Sequence, residues 1–390
     1  MPRKKILWLC SWYPDRMEPF NGDFIQRHAI AAALYNDIYV IHVAGDTSGK
    51  CSDTEHVITC SEGLAEHIGY FKRSASFLEK FWAYYRWRAV FKKAIRQYIS
   101  ENGKPDLVHV HVPMRAGLFG IRIKKKIGIP YVITEHWTIY QPQNAVKYDQ
   151  HKALFKSVLY WVVKNSRLLL PVSNDLGLLM NKLVTKKEFF VIENVANEKY
   201  FYYTDLVKPG SPFRFIHVSN MTFQKNAEAI VECFTAFQEK FHNTELVLVG
   251  SVPASMQLLI EQTGLLGRKI FLKGEISYTA VASEMQQANA LVMFSRFENS
   301  PCSIIEALCC GLPVIATRVG GIPELLENEN GILVESMDKM ALGEALEKMV
   351  TGYPGYDRKT IAEKAKNRFS YPVIGKKLDD VYTSLSIARS

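Results

Sequence analysis

Short runs of apolar residues alternate with segments of helical periodicity along the whole chain of 390 residues. The runs are continuously apolar rather than alternating, so they predict strands of parallel sheets whose two faces are covered by helices. In the first half of the chain the predicted strands are 6–10, 38–43, 107–112, 131–134, 168–172 and 189–192.

The second half repeats the scheme after a segment with the composition of a linker, residues 203–212. Its predicted strands are 213–218, 246–249, 270–272, 290–294, 314–316 and 332–334. We therefore expect two Rossmann-like domains, residues 1–205 and 206–370, which face each other across a cleft. Ligands of open α/β sheets bind beyond the carboxyl ends of the strands, so loops of both domains should line this cleft.

Composition agrees with two domains, because 390 residues exceed what one hydrophobic core usually serves. Hydrophobic residues make up 48% of the chain, mean hydropathy is −0.06, and we find no apolar run long enough to span a bilayer. The basic N-terminus is followed by an apolar run too short for a signal peptide, and it reads better as the first strand. Seven cysteines without Cys-x-x-Cys spacing favour a reduced, cytoplasmic protein without a zinc site.

The segment 295–316 places two carboxylates on either side of a predicted helix start. Ser300 is a good N-cap and Pro301 suits the first helical position, so Glu298 should lie in the loop and Glu306 on the helix. The first N–H groups of the helix and the positive end of its dipole predict a site for an anion such as a diphosphate. These N–H groups belong to the region of Cys302, Ser303 and Ile304.

Glu298, seven intervening residues and Glu306, followed by Gly-Leu-Pro-Val from residue 311 and Gly-Gly-Ile-Pro-Glu at 320–324, resemble a known signature. It is the donor site of retaining GT-B glycosyltransferases, specifically glycosyltransferase family 4, the glycosyl transferases group 1. The resemblance extends over nearly the whole chain. It implies that Glu306 binds the ribose of a nucleotide-sugar and Glu298 the sugar hydroxyls. The remaining donor-side residues expected from this loop and helix are Asn299, Ser300, Ser303 and Ile304.

Two loops of the first half carry further parts of the resemblance. Gly22 lies where the family has a glycine-bearing loop near the donor phosphates and the acceptor, and backbone can approach a ligand closely where no side chain intervenes. The alternative is an ordinary helix-entry turn. His136, directly after a predicted strand, matches the family's active-site histidine that faces the donor sugar, although a lone histidine is often only a structural hydrogen bonder. His109 and His111 suggest a metal pair, but without a third ligand nearby we expect them to be sheet residues.

At the start of the second half, Lys225 matches the family's lysine and would neutralise the leaving diphosphate. The family usually has arginine where this chain has Asn220, and a second glycine where it has Asn226. Asn220 can donate hydrogen bonds but carries no charge, so one cation of the pair is missing. The candidates to replace it are Arg296, Lys273 and Arg318.

The chemistry implied is transfer of a sugar from a nucleotide-sugar, UDP-sugars being favoured over GDP-sugars, to a glycan or lipid-linked glycan. Lys225 and the predicted helix would stabilise charge on the departing diphosphate. No side-chain nucleophile stands out, so attack on the face that the nucleotide leaves is favoured. The chain has no Asp-x-Asp, Gly-x-Gly-x-x-Gly or Gly-Lys-Ser/Thr, so no metal and no cofactor are expected.

The alternatives to a glycosyltransferase are a different enzyme of the same architecture and a protein without catalysis. A GT-B nucleotide-sugar epimerase would convert the donor without an acceptor, and a non-catalytic subunit would bind nucleotide-sugar without turnover. The loss of arginine at Asn220 favours the subunit, whereas the intact Glu298, Glu306 and Lys225 argue against it. Net charge is +9, but no nucleic-acid motif accompanies it and no nucleic acid is expected as a partner.

The C-terminal residues 371–390 resemble the family's final helix, which crosses back from the second domain to pack on the first. An apolar face at helical spacing supports a helix there. It consists of Val373, Leu378, Val381 and Leu385.

A segment rich in aromatic and basic residues, 71–98, suggests how an acceptor is reached. Arg88, Lys92 and Arg96 fall on one helical face, with the aromatic residues Phe77, Phe81, Trp82 and Tyr85 nearby. The plain interpretation is a helix that packs its aromatic residues on the sheet and exposes its charges. The sharper hypothesis is a peripheral contact with an anionic membrane at the inner face of the cell membrane.

Overall fold

The computed structural model describes residues 3–73, 79–206 and 210–387. Within them the chain forms two α/β units, each built on one sheet. The first sheet has the strand order β3-β4-β2-β1-β5-β6-β7 and the second β10-β9-β8-β11-β12-β13. All pairings are parallel except that of β3 with β4.

The first sheet comprises β1 (Lys5–Cys10), β2 (Asp37–Asp46), β3 (Thr54–Ser61), β4 (Leu64–Lys72), β5 (Leu107–His111), β6 (Tyr131–Glu135) and β7 (Leu169–Pro171). Its helices are α1 (Asp23–Ala33), α2 (Glu79–Asn102), α3 (Pro113–Ile127), α4 (Ala153–Asn165) and α5 (Asn174–Leu183). Strands β1 and β5 are buried along nearly their whole length, which is why they are continuously apolar.

The second sheet comprises β8 (Phe213–Val218), β9 (Thr244–Val249), β10 (Ile270–Gly274), β11 (Ala290–Met293), β12 (Val314–Thr317) and β13 (Gly331–Val334). Its helices are α6 (Ala227–Phe237), α7 (Ala254–Gln262), α8 (Tyr278–Gln286), α9 (Cys302–Cys309), α10 (Lys339–Gly352) and α11 (Arg358–Phe369). Two apolar clusters, one on each side of this sheet, bury both of its faces.

Helix α12 (Tyr371–Ile387) follows α11 directly and lies against α1 of the first unit. Leu378 and Val381 join the apolar cluster of β1, α1 and β2, while Lys4 pairs with Asp379 at 2.7 Å. Gly375 allows the close approach, because a Cβ there would stand 2.1 Å from the carbonyl oxygen of Ala31. The C-terminal helix therefore ties the end of the second unit to the first.

The sequence prediction of two parallel α/β units is confirmed, with two local corrections. The hairpin of β3 and β4 was not predicted, and β3 is antiparallel. Much of β3 faces outward at the sheet edge, so it lacks the continuous apolar pattern that marks the other strands. The predicted strand 189–192 is wrong. Its backbone follows β7 only through the N–H groups of Phe190 and Ile192, with one bridge between Leu169 and Phe189.

Candidate active site

The segment between β11 and α9 carries the two signature glutamates into the cleft. Helix α9 begins at Cys302, and Pro301 precedes it in an extended conformation. The prediction that Ser300 caps the helix is wrong: its Oγ is buried without a hydrogen-bond partner among the described residues. Ser300 and Ser303 line the cavity of the cleft, whereas Ile304 is buried and its N–H donates to the carbonyl of Pro301.

Glu298 is held by two neighbours. Its Oε1 accepts a hydrogen bond from Lys225 Nζ at 2.5 Å and another from Ser295 Oγ at 3.0 Å. Its side chain is 5% exposed and that of Lys225 is 18% exposed, so the ion pair is largely shielded from water. The sequence singled out both ends of this pair but not Ser295.

Glu306 is paired across the cleft with a residue that the sequence did not single out. Arg27 of α1 places Nη1 2.7 Å from Glu306 Oε1 and Nη2 3.2 Å from Asp23 Oδ2. Burial raises the pKa of Glu306 above its ordinary value, and the charge of Arg27 opposes that rise. Arg27 also lies over the ring of Tyr278, 4.7 Å from its centroid.

Two glycines of the signature shape the loop that bears Glu298. A Cβ on Gly320 would stand 1.7 Å from the carbonyl oxygen of Glu298, and one on Gly321 would stand 2.0 Å from that of Asn299. Any side chain at either position would displace the loop. These two glycines therefore shape the loop by packing closely against its backbone.

Asn299 joins the two units. Its Nδ2 donates to the carbonyl of His136 at 2.9 Å, and its Oδ1 accepts from Gln141 Nε2 at 3.0 Å. Glu324, the last residue of the signature, accepts hydrogen bonds from the N–H groups of Asn174 and Asp175 at the start of α5. These contacts hold the signature segment against the first unit.

His136 lies at the end of β6 and lines the cavity. Neither ring nitrogen has a hydrogen-bond partner among the described residues, and both are buried. Burial lowers the pKa of His136 well below its usual value and keeps the ring neutral. Its loop is fixed by Glu135, whose Oε1 accepts from the N–H groups of His136 and Trp137 and whose Oε2 accepts from Tyr140 Oη.

His109 and His111 lie inside the first unit. His109 bonds to the Oη of Tyr382 and to Thr134 Oγ1, each at 2.7 Å, while the ring of His111 stacks on Trp8. They are parts of the core, as the sequence led us to expect. In the described part of the chain, no group of three or more His, Cys, Asp or Glu side chains is arranged to hold a metal ion.

Gly22 precedes α1 with φ of 72°, in the left-handed region that favours glycine. A Cβ there would stand 2.8 Å from the backbone of Trp12 and Tyr13, so packing within the first unit alone requires glycine. Its neighbours Phe20 and Asp23 line the cavity, whereas Gly22 is not among the lining residues.

The loop after β8 contains the departures from the family pattern. Asn220 is exposed at the cavity wall, and Asn226 adopts φ of 50°, a left-handed conformation that asparagine tolerates better than most residues. The three cations suggested as replacements for the missing arginine are not among the residues that line the cavity. Arg296 covers the ring of Phe223, Lys273 pairs with Glu284, and Arg318 pairs with Glu335.

The cleft encloses a cavity of about 790 Å³, lined by both units. It brings together Lys225, Glu298, Glu306, His136 and the first residues of α9. No motif in the sequence marks Arg27, although its position four residues after Asp23 puts it on the same face of α1. The arrangement supplies hydrogen-bond acceptors for hydroxyls beside donors for an anion.

Two parallel sheets with a cavity between them are the GT-B architecture. The family model described as "Glycosyl transferases group 1" matches residues 202–368, and "Glycosyltransferase Family 4" matches residues 55–197. The chain belongs to this family of glycosyltransferases.

Similar sequences and solved structures agree with this family and fold. The putative teichuronic acid biosynthesis glycosyltransferase TuaC of Bacillus subtilis is 23% identical over 88% of this chain and 88% of that protein. Sucrose-phosphate synthase from Thermosynechococcus elongatus superposes with a TM-score of 0.79 at 20% identity, covering 99% of this chain and 100% of that one. HepE of Anabaena, solved in complex with UDP, gives a TM-score of 0.73 at 16% identity over 97% and 100%. At these identities the solved structures show that the fold is shared.

Proposed function

We propose that this chain is a retaining, metal-independent glycosyltransferase that moves a sugar from a nucleotide-sugar to a glycan or lipid-linked glycan. The observation that supports this proposal best is that one cavity is lined by Glu298, Lys225, Glu306, the neutral His136 and the start of α9. Assembly of a bacterial surface polysaccharide or glycoconjugate is the proposed setting, and the similarity to a teichuronic acid glycosyltransferase supports it.

The proposed donor is a UDP-sugar, with a GDP-sugar as the second choice. The Anabaena protein of the same fold was solved with UDP, which supports this order. Glu306 would accept hydrogen bonds from ribose hydroxyls and Glu298 from sugar hydroxyls. Cys302 and Ser303, the first residues of α9, line the cavity, and a diphosphate there would be stabilised by the N–H groups of the helix start.

In the proposed reaction, negative charge grows on the diphosphate as its bond to the sugar breaks. Lys225 and the positive end of the α9 dipole are fixed before the reaction, so they stabilise this charge without reorganisation. His136 can offer a neutral ring to the sugar. The acceptor hydroxyl attacks from the face that the nucleotide leaves, which retains the anomeric configuration.

The first test is a panel of UDP-, GDP- and ADP-sugars, screened by thermal shift and then by product analysis in EDTA. Because a cationic side chain and a helix dipole replace a divalent ion, transfer or slow donor hydrolysis should persist in EDTA at an unchanged rate. NMR of the first product should show the donor's anomeric configuration. Loss of activity in EDTA that magnesium or manganese restores would contradict metal independence.

The same panel separates the alternatives. An epimerase would convert the donor sugar without an acceptor, and a non-catalytic subunit would show a thermal shift without any product. An inverted product would contradict the retaining mechanism while leaving glycosyl transfer intact.

The exposed aromatic residues of α2 favour the hypothesis that the acceptor lies at a membrane. Phe81 and Trp82 at its start are 58% and 56% exposed, so they do not pack on the sheet. The fourth aromatic residue of the hypothesis, Phe77, lies outside the described residues. Strand β4 is parallel to β2 and ends shortly before α2 begins, so the proposal places these exposed rings on the cleft side of the sheet.

Basic residues continue the exposed stripe along α2. Phe81, Tyr85, Arg88, Lys92 and Arg96 follow one another at intervals of three or four residues, which places them on one helical face. The like charges of Arg96, of Arg122 and Lys126 on α3, and of Arg88 lower the pKa of Lys92, so both helices share one basic surface.

The excess of basic over acidic residues lies in the first unit. Residues 1–205 contain 29 Lys and Arg against 19 Asp and Glu, whereas residues 206–390 contain 19 against 20. An anionic membrane would therefore attract the first unit. Among the described residues, no helix is both long enough and apolar enough to cross a bilayer. The proposed location is cytoplasmic, at the inner face of the cell membrane, and seven free cysteines fit a reducing compartment.

Replacing Arg88, Lys92 and Arg96 together with Glu should abolish binding to vesicles containing phosphatidylglycerol, because each cation contributes about 1 kcal/mol at an anionic surface. Wild type should bind these vesicles, lose binding in high salt, and ignore pure phosphatidylcholine. The matched control changes three exposed lysines of the second unit to Glu: Lys240, Lys348 and Lys364. Equal absence of wild-type binding to both vesicle types would favour an acceptor in solution.

A further inference from the structure

The cavity is lined by two cationic side chains, counted over the described residues, and each is paired with a signature glutamate. Lys225 holds Glu298 and Arg27 holds Glu306. The lining also contains Asp23 and Glu275, so four carboxylates face two cations when no donor is bound. A diphosphate entering this cavity would meet one cation too few if Lys225 acted alone.

Arg27 is built into the cleft rather than left at its surface. Its side chain is 11% exposed, and its Nε is buried without a hydrogen-bond partner among the described residues. A guanidinium has five N–H donors in a planar fork, and such a fork suits phosphate oxygens. Arg27 therefore lines the cavity and has a donor group that no described residue uses.

Arg27 occupies Oε1 of Glu306, so a ribose that hydrogen-bonds to both oxygens of this carboxylate would compete with the guanidinium. The proposed function needs that carboxylate for ribose hydroxyls. Binding of a nucleotide would thus release Arg27 beside a newly arrived diphosphate. Asp23, one helical turn earlier, remains to orient the guanidinium.

We propose that Arg27 is the second cation of the diphosphate site and takes the place that Asn220 leaves uncharged. Without a donor Arg27 holds Glu306; with a donor, ribose takes the carboxylate and the guanidinium binds the diphosphate. The inference rests on the proposed function and adds a residue from the first unit to the donor site. It also makes the contact between the two units depend on whether nucleotide is present.

The experiment compares the affinities of UDP and uridine by calorimetry, because their ratio isolates the contribution of the diphosphate. Arg27→Met should lower the UDP-to-uridine affinity ratio at least 10-fold, and Arg27→Lys should restore part of it. Arg318→Met, which removes an exposed cation outside the cavity, should leave the ratio unchanged. If the panel identifies another base, the matching diphosphate and nucleoside are used.

A second measurement with the opposite sign guards against misfolding of the Arg27 variants. Glu306→Gln removes the competitor for Arg27, so this variant should bind inorganic pyrophosphate several-fold more tightly than wild type. The loss of one negative charge alone also favours an anion, so the gain that depends on Arg27 is the part that disappears in the double variant Arg27→Met with Glu306→Gln.

Two outcomes would overturn the inference while leaving the proposed function in place. They are an unchanged UDP-to-uridine ratio in folded Arg27→Met and an unchanged pyrophosphate affinity in Glu306→Gln. Wild-type protein that binds none of UDP, GDP and ADP would instead overturn the proposed function and this inference with it.

Discussion

Replacing Lys225 with alanine should lower kcat about 100- to 1000-fold, since a preorganised charge facing the developing anion is worth roughly 3–4 kcal/mol. Lys225 Nζ lies 2.5 Å from Glu298 Oε1, so both groups of the reacting region are affected at once. The measurement is single-turnover transfer with the donor that the panel identifies. Glu298→Gln and Glu306→Ala should also impair turnover while the protein stays folded.

The ion pair complicates the Lys225 variant, and a double variant resolves the difficulty. Glu298 is 5% exposed, so removal of Lys225 leaves a buried charge without its partner and can cost several kcal/mol of stability. Lys225→Met with Glu298→Gln removes both charges and should recover stability, yet turnover should stay low. Lys240→Ala, an exposed cation of the second unit, serves as the control. Normal rates of Lys225→Ala, Glu298→Gln and Glu306→Ala at saturating substrate would refute the assignment of this site.

Lowering the pH from 7.5 to 5.5 should destabilise the first unit strongly, because it contains several buried, neutral histidines. Burial lowers the pKa of His28 to about 4 and those of His109, His111 and His136 well below the ordinary value. The unfolded chain binds protons below about pH 6.5 while the folded chain does not, so stability falls as pH falls. Each histidine contributes about 1.4 kcal/mol over this interval, roughly 5 kcal/mol for four.

Buried carboxyl groups act in the opposite direction. Burial raises the pKa of Glu135 to about 7, so the folded state takes up a proton there that the unfolded state does not. Below pH 7 this uptake returns at most about 2 kcal/mol, which is less than the histidines remove. Acid should therefore still destabilise the protein.

His111→Phe tests this assignment. Both nitrogens of His111 lack partners among the described residues and its ring stacks on Trp8, so a phenyl ring loses no hydrogen bond. Urea unfolding followed by tryptophan fluorescence should show about 1.4 kcal/mol less pH dependence than in wild type. His242→Phe, at an exposed position, should keep the full dependence. An identical pH dependence in His111→Phe would contradict the account.

The largest part of the fold was predictable because its information is local. Parallel strands such as β1 and β5 are covered on both faces, so their continuous apolar runs are visible in the sequence. The hairpin of β3 and β4 was missed because its outer strand lies at an exposed edge, where residue type is weakly constrained. The segment 189–192 has a strand's composition, but it makes only scattered backbone bonds with β7.

In the candidate site, too, some features could be predicted from the sequence and others could not. Glu298, Glu306 and Lys225 stand in motifs that can be recognised along the chain, because each motif combines a turn, a helix start and a charged group. Asn299 lines the cavity, and its amide also bonds to Gln141 and to the carbonyl of His136 in the other unit, contacts that no motif in the sequence showed. Ser300 was expected to cap the helix, but the helix begins at Cys302, one residue later than predicted, and has no side-chain cap.

By itself the sequence determined two parallel α/β units, the family resemblance and the charged groups of the donor loop, since periodicity and motif spacing are properties of neighbouring residues. Only the tertiary structure decided which charges meet. Arg27 and Glu306 are 279 residues apart along the chain yet 2.7 Å apart in the cleft. Their pairing depends on how two separately folded sheets pack against each other. No local pattern encodes that packing, because it is the sum of many weak contacts between units.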